Sequence, residues 1–142
     1  MRWEQVIKYG SLSDIGFRRQ NNEDAAIVQL CADPEIWQQH GHVLLVADGM
    51  GGHAAGELAS KLAADTLPQT FFKSRDKDVQ SALKEAIEVT NKTINDRGTQ
   101  NKDFQRMGTT CASLVLGPDG ATIGHVGDSR VYRVRGDRID QL

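Results

Sequence analysis

Five consecutive apolar residues, Val43-Leu44-Leu45-Val46-Ala47, run directly into a carboxylate and a glycine, Asp48-Gly49. An unbroken apolar run of this length, closed by turn residues, predicts a strand buried on both faces. Its neighbours predict what lies around it. Ala25–Leu30 reads as a second strand, Lys8–Asp14 as a short one, and residues 31–41, with Pro34, as a polar loop.

Two helices are expected next. The first spans about Ala54 to Leu67, with Leu58, Leu62 and Thr66 beside Ala59, Ala63 and Leu67 on one stripe, and Pro68 marking its end. The second carries Val79, Leu83, Ile87, Thr90 and Ile94 at helical spacing. Asp78 suits its N-cap, Glu88 and Lys92 an i,i+4 pair, and Gly98 its stop.

Beyond residue 100 the period falls to two. Cys111–Leu116, Ala121–Val126 and Val131–Val134 read as strands, with turn signals at Gly117-Pro118-Asp119-Gly120 and Gly136-Asp137. Strands, two helices, then hairpin-linked strands predict an α+β fold with helices on a mostly antiparallel sheet. Arg135-Gly136-Asp137 spells an adhesion tripeptide, but a hairpin turn accounts for it.

A length of 142 residues suits one domain. The formal net charge of -2 gives no electrostatic reason to expect nucleic acid or an anionic membrane as partner. Met1-Arg2-Trp3-Glu4-Gln5 lacks a signal peptide's apolar core, and no apolar run approaches the ~20 residues of a membrane span. Cys31 and Cys111 lack metal-type spacing and read as reduced core thiols of a cytoplasmic protein.

Four segments stand out chemically. Arg19-Gln20-Asn21-Asn22-Glu23-Asp24 joins a cation to adjacent carboxylates just before a strand, and reads either as a solvated loop or as a site. Asp48-Gly49-Met50-Gly51-Gly52-His53 places a carboxylate at a rigid strand end, then glycines that let backbone approach a ligand. A nucleotide loop would need G-x-G-x-x-G or a Walker lysine, and neither is present. Gly127-Asp128-Ser129-Arg130 has ordinary turn chemistry, and Met107-Gly108-Thr109-Thr110 shows no chemistry by residue type. If Asp24, Asp48 and Asp128 share one end of a sheet, their hard oxygens favour Mg²⁺ or Mn²⁺ over zinc. An arginine beside such ions suits a phosphate dianion. Together these features suggest metal-assisted phosphoryl hydrolysis.

Ser13-Asp14-Ile15-Gly16 with Arg19, Asn22, Glu23 and Asp24, then Val46-Ala47-Asp48-Gly49-Met50-Gly51-Gly52, Met107-Gly108-Thr109-Thr110 and Gly127-Asp128-Ser129-Arg130 resemble the successive motifs of the protein phosphatase 2C (PPM) family, in its bacterial form. The resemblance runs from about Ser11 to the last residue. It implies an αββα four-layer β-sandwich flanked by helices, with a two-metal centre at one end. Asp48 would bridge the two metals, Gly49 would offer its carbonyl, and Asp24 would bind the metal shell, with Glu23 acting through water. Arg19 would bind substrate phosphate, and Asp128 a third, weaker metal. The implied reaction is direct attack by a metal-bridging water on phosphoserine or phosphothreonine, with Mn²⁺ or Mg²⁺ as cofactor. The implied partners are a phosphorylated protein and an opposing serine/threonine kinase.

This sequence departs from the family pattern twice. Animal members carry a histidine general acid directly after the Asp-Gly pair, where this chain has Met50; His53 reads as an exposed or helix-starting residue, and the proton donor stays open. The family's later aspartate motifs are also missing from these 142 residues. The expectation is therefore an N-terminal portion of one domain, incomplete at its C-terminal side, with exposed sheet edges open to self-association and little or no turnover alone. The alternative is a non-catalytic pseudophosphatase or phosphoprotein-binding module.

Overall fold

The computed structural model describes residues 6–52 and 54–142. The apolar run lies at the centre of a sheet. Strand β2 (His42–Met50) pairs antiparallel with β1 (Asp24–Gln29) on one side and β4 (Cys111–Gly117) on the other. β5 (Gly120–Val126) extends the sheet from β4, and the two-residue β3 (Gly108–Thr109) pairs with the end of β2. The order is β1-β2-β4-β5. β6 (Tyr132–Arg135) and β7 (Arg138–Gln141) form a separate two-stranded antiparallel sheet. The Arg135-Gly136-Asp137 segment makes the turn between them.

Alternation decides which face is covered. Val43, Leu45 and Ala47 of β2, with Cys111 and Val115 of β4, pack on helices α2 (Ala55–Lys73) and α3 (Val79–Gln100). Ala59, Ala63, Leu67 and Phe71 of α2 and Ala82, Leu83, Ala86 and Ile94 of α3 complete this core. The opposite face of β2 is not buried as expected: Val46 is 48% exposed and Leu44 half-buried. The helical layer covers only one side of the sheet. The mostly antiparallel α+β arrangement agrees with the sequence, and so do β1, β4, β5 and β6 within a residue or so.

Four local expectations are corrected. Lys8–Asp14 is irregular, since no described strand pairs with it. The supposed loop at 31–41 contains helix α1 (Pro34–His40). The Asp33 carboxylate accepts from the Glu35 and Ile36 N–H groups, and Pro34 sits in the first turn, where its missing N–H costs nothing. Helix α2 passes through Pro68 because Leu67 and Phe71, both fully buried, lie on the same stripe across it. Helix α3 passes through Gly98 to Gln100. A Cβ at Gly98 would lie 2.8 Å from the Phe104 carbonyl oxygen, so this glycine lets the 3-10 turn Lys102–Phe104 fold back onto the helix. On the exposed surface of α3, Glu88 pairs with Lys84 and Lys92 with Asp96. Among the described residues no helix is long and apolar enough to cross a membrane.

Candidate metal centre

Antiparallel register brings the first two acidic positions together. Asp24 opens β1 and Asp48 lies near the end of β2, and the two are direct Cα partners. Their carboxyl groups line the same small cavity. The Asp24 carboxyl is raised from its ordinary value, first by partial burial and then by the neighbouring Asp48 carboxylate, with Arg19 opposing. Two adjacent carboxylates are costly unless a proton or a cation lies between them.

Glycine packing holds the surrounding backbone. The Gly49 N–H donates to the Glu23 carbonyl at 3.0 Å. A Cβ on Gly49 would fall 1.9 Å from the Gly56 carbonyl oxygen, and one on Gly56 would fall 2.8 Å from Cδ of Glu23. Bare backbone at both positions lets the first turn of α2 close on the end of β2 and on the Glu23 side chain. That side chain is only 13% exposed and meets the Arg19 guanidinium at 3.4 Å. Arg19 itself is 73% exposed, leaving most of its donor fork open.

The loop before β1 forms the rest of the wall. Asn22 accepts from the Asp24 N–H at 3.0 Å and donates to the Ser13 hydroxyl at 2.7 Å, while Asp14 accepts from the Gly16 N–H at 2.7 Å. The result is a polar cavity of about 220 Å³ lined by Asp14, Ile15, Arg19, Asn21, Asn22, Glu23, Asp24 and Asp48.

Four of the expected site residues, Arg19, Glu23, Asp24 and Asp48, thus line one cavity, with Gly49 adjoining Asp48 in the chain. Asp128 lies outside that lining, exposed in the loop after β5. Its neighbour Ser129 reaches the Thr110 hydroxyl at 2.6 Å, and Thr110 Oγ1 in turn accepts from the Asp48 N–H at 3.0 Å. Met50 ends β2, 56% exposed. His53 lies outside the described residues. Residue-type reasoning gave no role to Asp14, Gly56 or Thr110. Asp14 and Thr110 stood in segments already singled out, whereas Gly56 offered only a glycine at a helix start.

The donor set suits a hard cation: carboxylate oxygens, no thiolate or imidazole among the lining residues, and a like-charge pair that a cation would relieve. It is a partial set. Among the described residues no group of three His, Cys, Asp or Glu side chains gathers tightly enough to hold a metal.

Comparison with known proteins gives a consistent result. The sequence profile described as protein phosphatase 2C matches residues 19–142. The serine/threonine protein phosphatase PstP of Mycobacterium tuberculosis is 32% identical over 137 residues, covering 96% of this chain and 24% of that protein. Protein phosphatase PhpP of Streptococcus pneumoniae is 31% identical over 134 residues, covering 92% of this chain and 52% of that protein. The crystal structure of the PstP catalytic domain with 2 manganese ions superposes with a TM-score of 0.78 at 32% identity, over 95% of this chain and 54% of that one. The chain therefore spans about half of that catalytic domain and of PhpP, and a quarter of PstP.

Proposed function

Because the chain belongs to the protein phosphatase 2C family, we propose that its acidic cavity is the N-terminal part of a metal-dependent centre that hydrolyses phosphoserine and phosphothreonine in proteins. One observation carries this reading: Asp24 and Asp48 face each other across paired strands, in a cavity that also holds Arg19.

The roles are those that the family resemblance implies for the residues at these positions. Asp48, carried on a central strand of the sheet, would hold the metal through its carboxylate. Gly49 would add its carbonyl oxygen and Asp24 a second carboxylate, and Glu23 would act through water. Arg19 keeps an open planar fork for two phosphate oxygens. Asp128, outside the cavity lining, would serve a third ion. When bound, Mn²⁺ or Mg²⁺ supplies a water acidic enough to act as nucleophile at neutral pH, and positive charge for the phosphoryl oxygens. Met50 cannot pass a proton to the leaving group.

The reading makes residues 1–142 the N-terminal portion of a single phosphatase domain, with little or no turnover alone. Its partners are a phosphorylated protein and the serine/threonine kinase it opposes, in the cytoplasm, where ATP supplies the phosphate. The half-open sheet face and edges allow self-association. The incomplete donor set favours one alternative, a module that binds phosphoproteins without hydrolysing them.

Mn²⁺ titration of the chain, paired with phosphate release from a phosphothreonine peptide, tests this. We expect weak Mn²⁺ binding, as the partial donor set dictates, that Asp48→Asn abolishes, with release far below that of a complete family member. Undiminished binding by Asp48→Asn would remove the centre from Asp48. Release at the rate of a complete member would overturn the expectation of low turnover. Mn²⁺-independent peptide binding with no release would favour the binding module.

A further inference from the structure

The Met107-Gly108-Thr109-Thr110 segment has no charge and no place in the cavity lining, yet its last residue is 5% exposed and makes three hydrogen bonds to Asp48 and Ser129. The Asp48 N–H donates to Thr110 Oγ1 at 3.0 Å. The Thr110 N–H donates to the Asp48 carbonyl at 2.9 Å. Thr110 therefore grips both main-chain polar groups of Asp48. Its hydroxyl then meets Ser129 Oγ at 2.6 Å. The Ser129 loop also passes close to the same side chain, since a Cβ at Gly127 would fall 2.9 Å from Thr110 Cγ2.

A hydroxyl has one proton and two acceptor positions. One acceptor position of Thr110 Oγ1 is taken by the Asp48 N–H. Whichever hydroxyl supplies the proton, the bond to Ser129 fixes the Thr110 rotamer, and that rotamer aims Oγ1 at the Asp48 amide. The loop carrying Ser129 also carries Asp128, exposed and outside the cavity lining. Main chain and hydroxyls thus join Asp48 to the neighbour of Asp128 through one intermediate residue.

Building on the phosphatase reading above, we propose that the Thr110–Ser129 hydroxyl pair is a positioning device for Asp48: it holds the strand end in the conformation that binds the cation and couples it to the Asp128 loop. Neither residue need touch metal or substrate. Partners that orient metal ligands from behind are typically worth about 10- to 100-fold in metal affinity.

The test uses this chain, with Mn²⁺ affinity and hydrogen exchange of the Asp48 amide as readouts. Thr110→Val keeps the shape and removes the hydroxyl. We expect it to weaken Mn²⁺ binding by about tenfold or more and to speed Asp48 amide exchange in metal-free protein. Thr110→Ser keeps the hydroxyl and should bind within about twofold of the parent. Ser129→Ala should weaken binding in the same direction, and the double variant should be no worse than Thr110→Val, as members of one network are not additive. If Thr110→Val does not fold, Ser129→Ala carries the test, because it leaves the Asp48 bond in place. Parent-like Mn²⁺ affinity in Thr110→Val or Ser129→Ala, with Asp48→Asn still abolishing binding, overturns the positioning role and leaves the centre intact. Equal loss in Thr110→Ser and Thr110→Val also overturns it. Parent-like binding by Asp48→Asn would instead defeat the metal-centre reading itself.

Discussion

Gly49 and Gly56 pack backbone on backbone: the Gly56 carbonyl oxygen occupies the space 1.9 Å from where a Gly49 Cβ would stand. This contact sets the distance between the start of α2 and the strand end that carries Asp48. It also leaves no slack for Glu23, whose carboxyl carbon would lie 2.8 Å from a Gly56 Cβ.

Gly56→Ala should therefore destabilise the fold despite alanine's higher helix propensity. Overpacking of this kind costs about 1–3 kcal/mol, against a propensity gain of at most about 1 kcal/mol. Urea unfolding measures the balance. A stabilised Gly56→Ala variant would show that α2 can shift away from β2 at no cost.

Much of this architecture is visible in the sequence, because alternation and helical stripes reflect burial directly. The run Val43–Ala47 and the stripe from Ala59 to Leu67 announce their elements without help from neighbours. Helix α1 is hidden because its signals, Asp33 and Pro34, also signal loops; only a capped first turn separates the two meanings. Pro68 misleads because local cost is weighed against tertiary burial, and Phe71, one turn later, is fully buried. Thr110 is hardest to read. Its partners Asp48 and Ser129 lie 62 and 19 residues away, and no local pattern marks a hydroxyl whose work is done across strands.

Phe71 tests the claim that burial carries α2 past Pro68. The ring is fully buried and meets His40 edge-on at 5.5 Å and Phe72 at 5.3 Å between centroids. Phe71→Ala should cost about 3–5 kcal/mol, read as a fall in the denaturation midpoint. It should also loosen residues 69–73 selectively, seen as faster amide exchange there than in residues 55–64. A cost below about 1 kcal/mol would mean that something other than this ring holds the last turn.

Cys111 supplies a pH dependence whose sign is fixed by burial. Its thiol is pushed up from 9.0 to about 11, chiefly by desolvation, with Ser113 pulling slightly the other way. The folded chain therefore keeps this proton to higher pH than the unfolded chain does. The resulting stability is fully present below pH 9.0 and is lost as pH rises to about 11. At about 1.4 kcal/mol per unit the loss is on the order of 2–3 kcal/mol. Unfolding free energies of the parent and Cys111→Ala, compared from pH 8 to 11, isolate it: the parent should decline more steeply, and parallel curves would contradict the assignment.

Arg19 separates substrate binding from stability. Its bond to Glu23 is long, at 3.4 Å, and the guanidinium is 73% exposed, so the pair contributes at most about 1 kcal/mol to folding. Arg19→Ala should leave the urea midpoint and Mn²⁺ affinity nearly unchanged. The open fork, in contrast, is free to meet phosphate, and charge-assisted hydrogen bonds are worth about 1.5–3 kcal/mol. Affinity for a phosphothreonine peptide in Mn²⁺ should accordingly fall about tenfold or more in Arg19→Ala. Arg19→Lys should restore only part of it, because an ammonium keeps the charge and loses the two-oxygen geometry. If Arg19→Ala binds the phosphopeptide like the parent, phosphate is recognised elsewhere, and Arg19 is reduced to an exposed partner of Glu23.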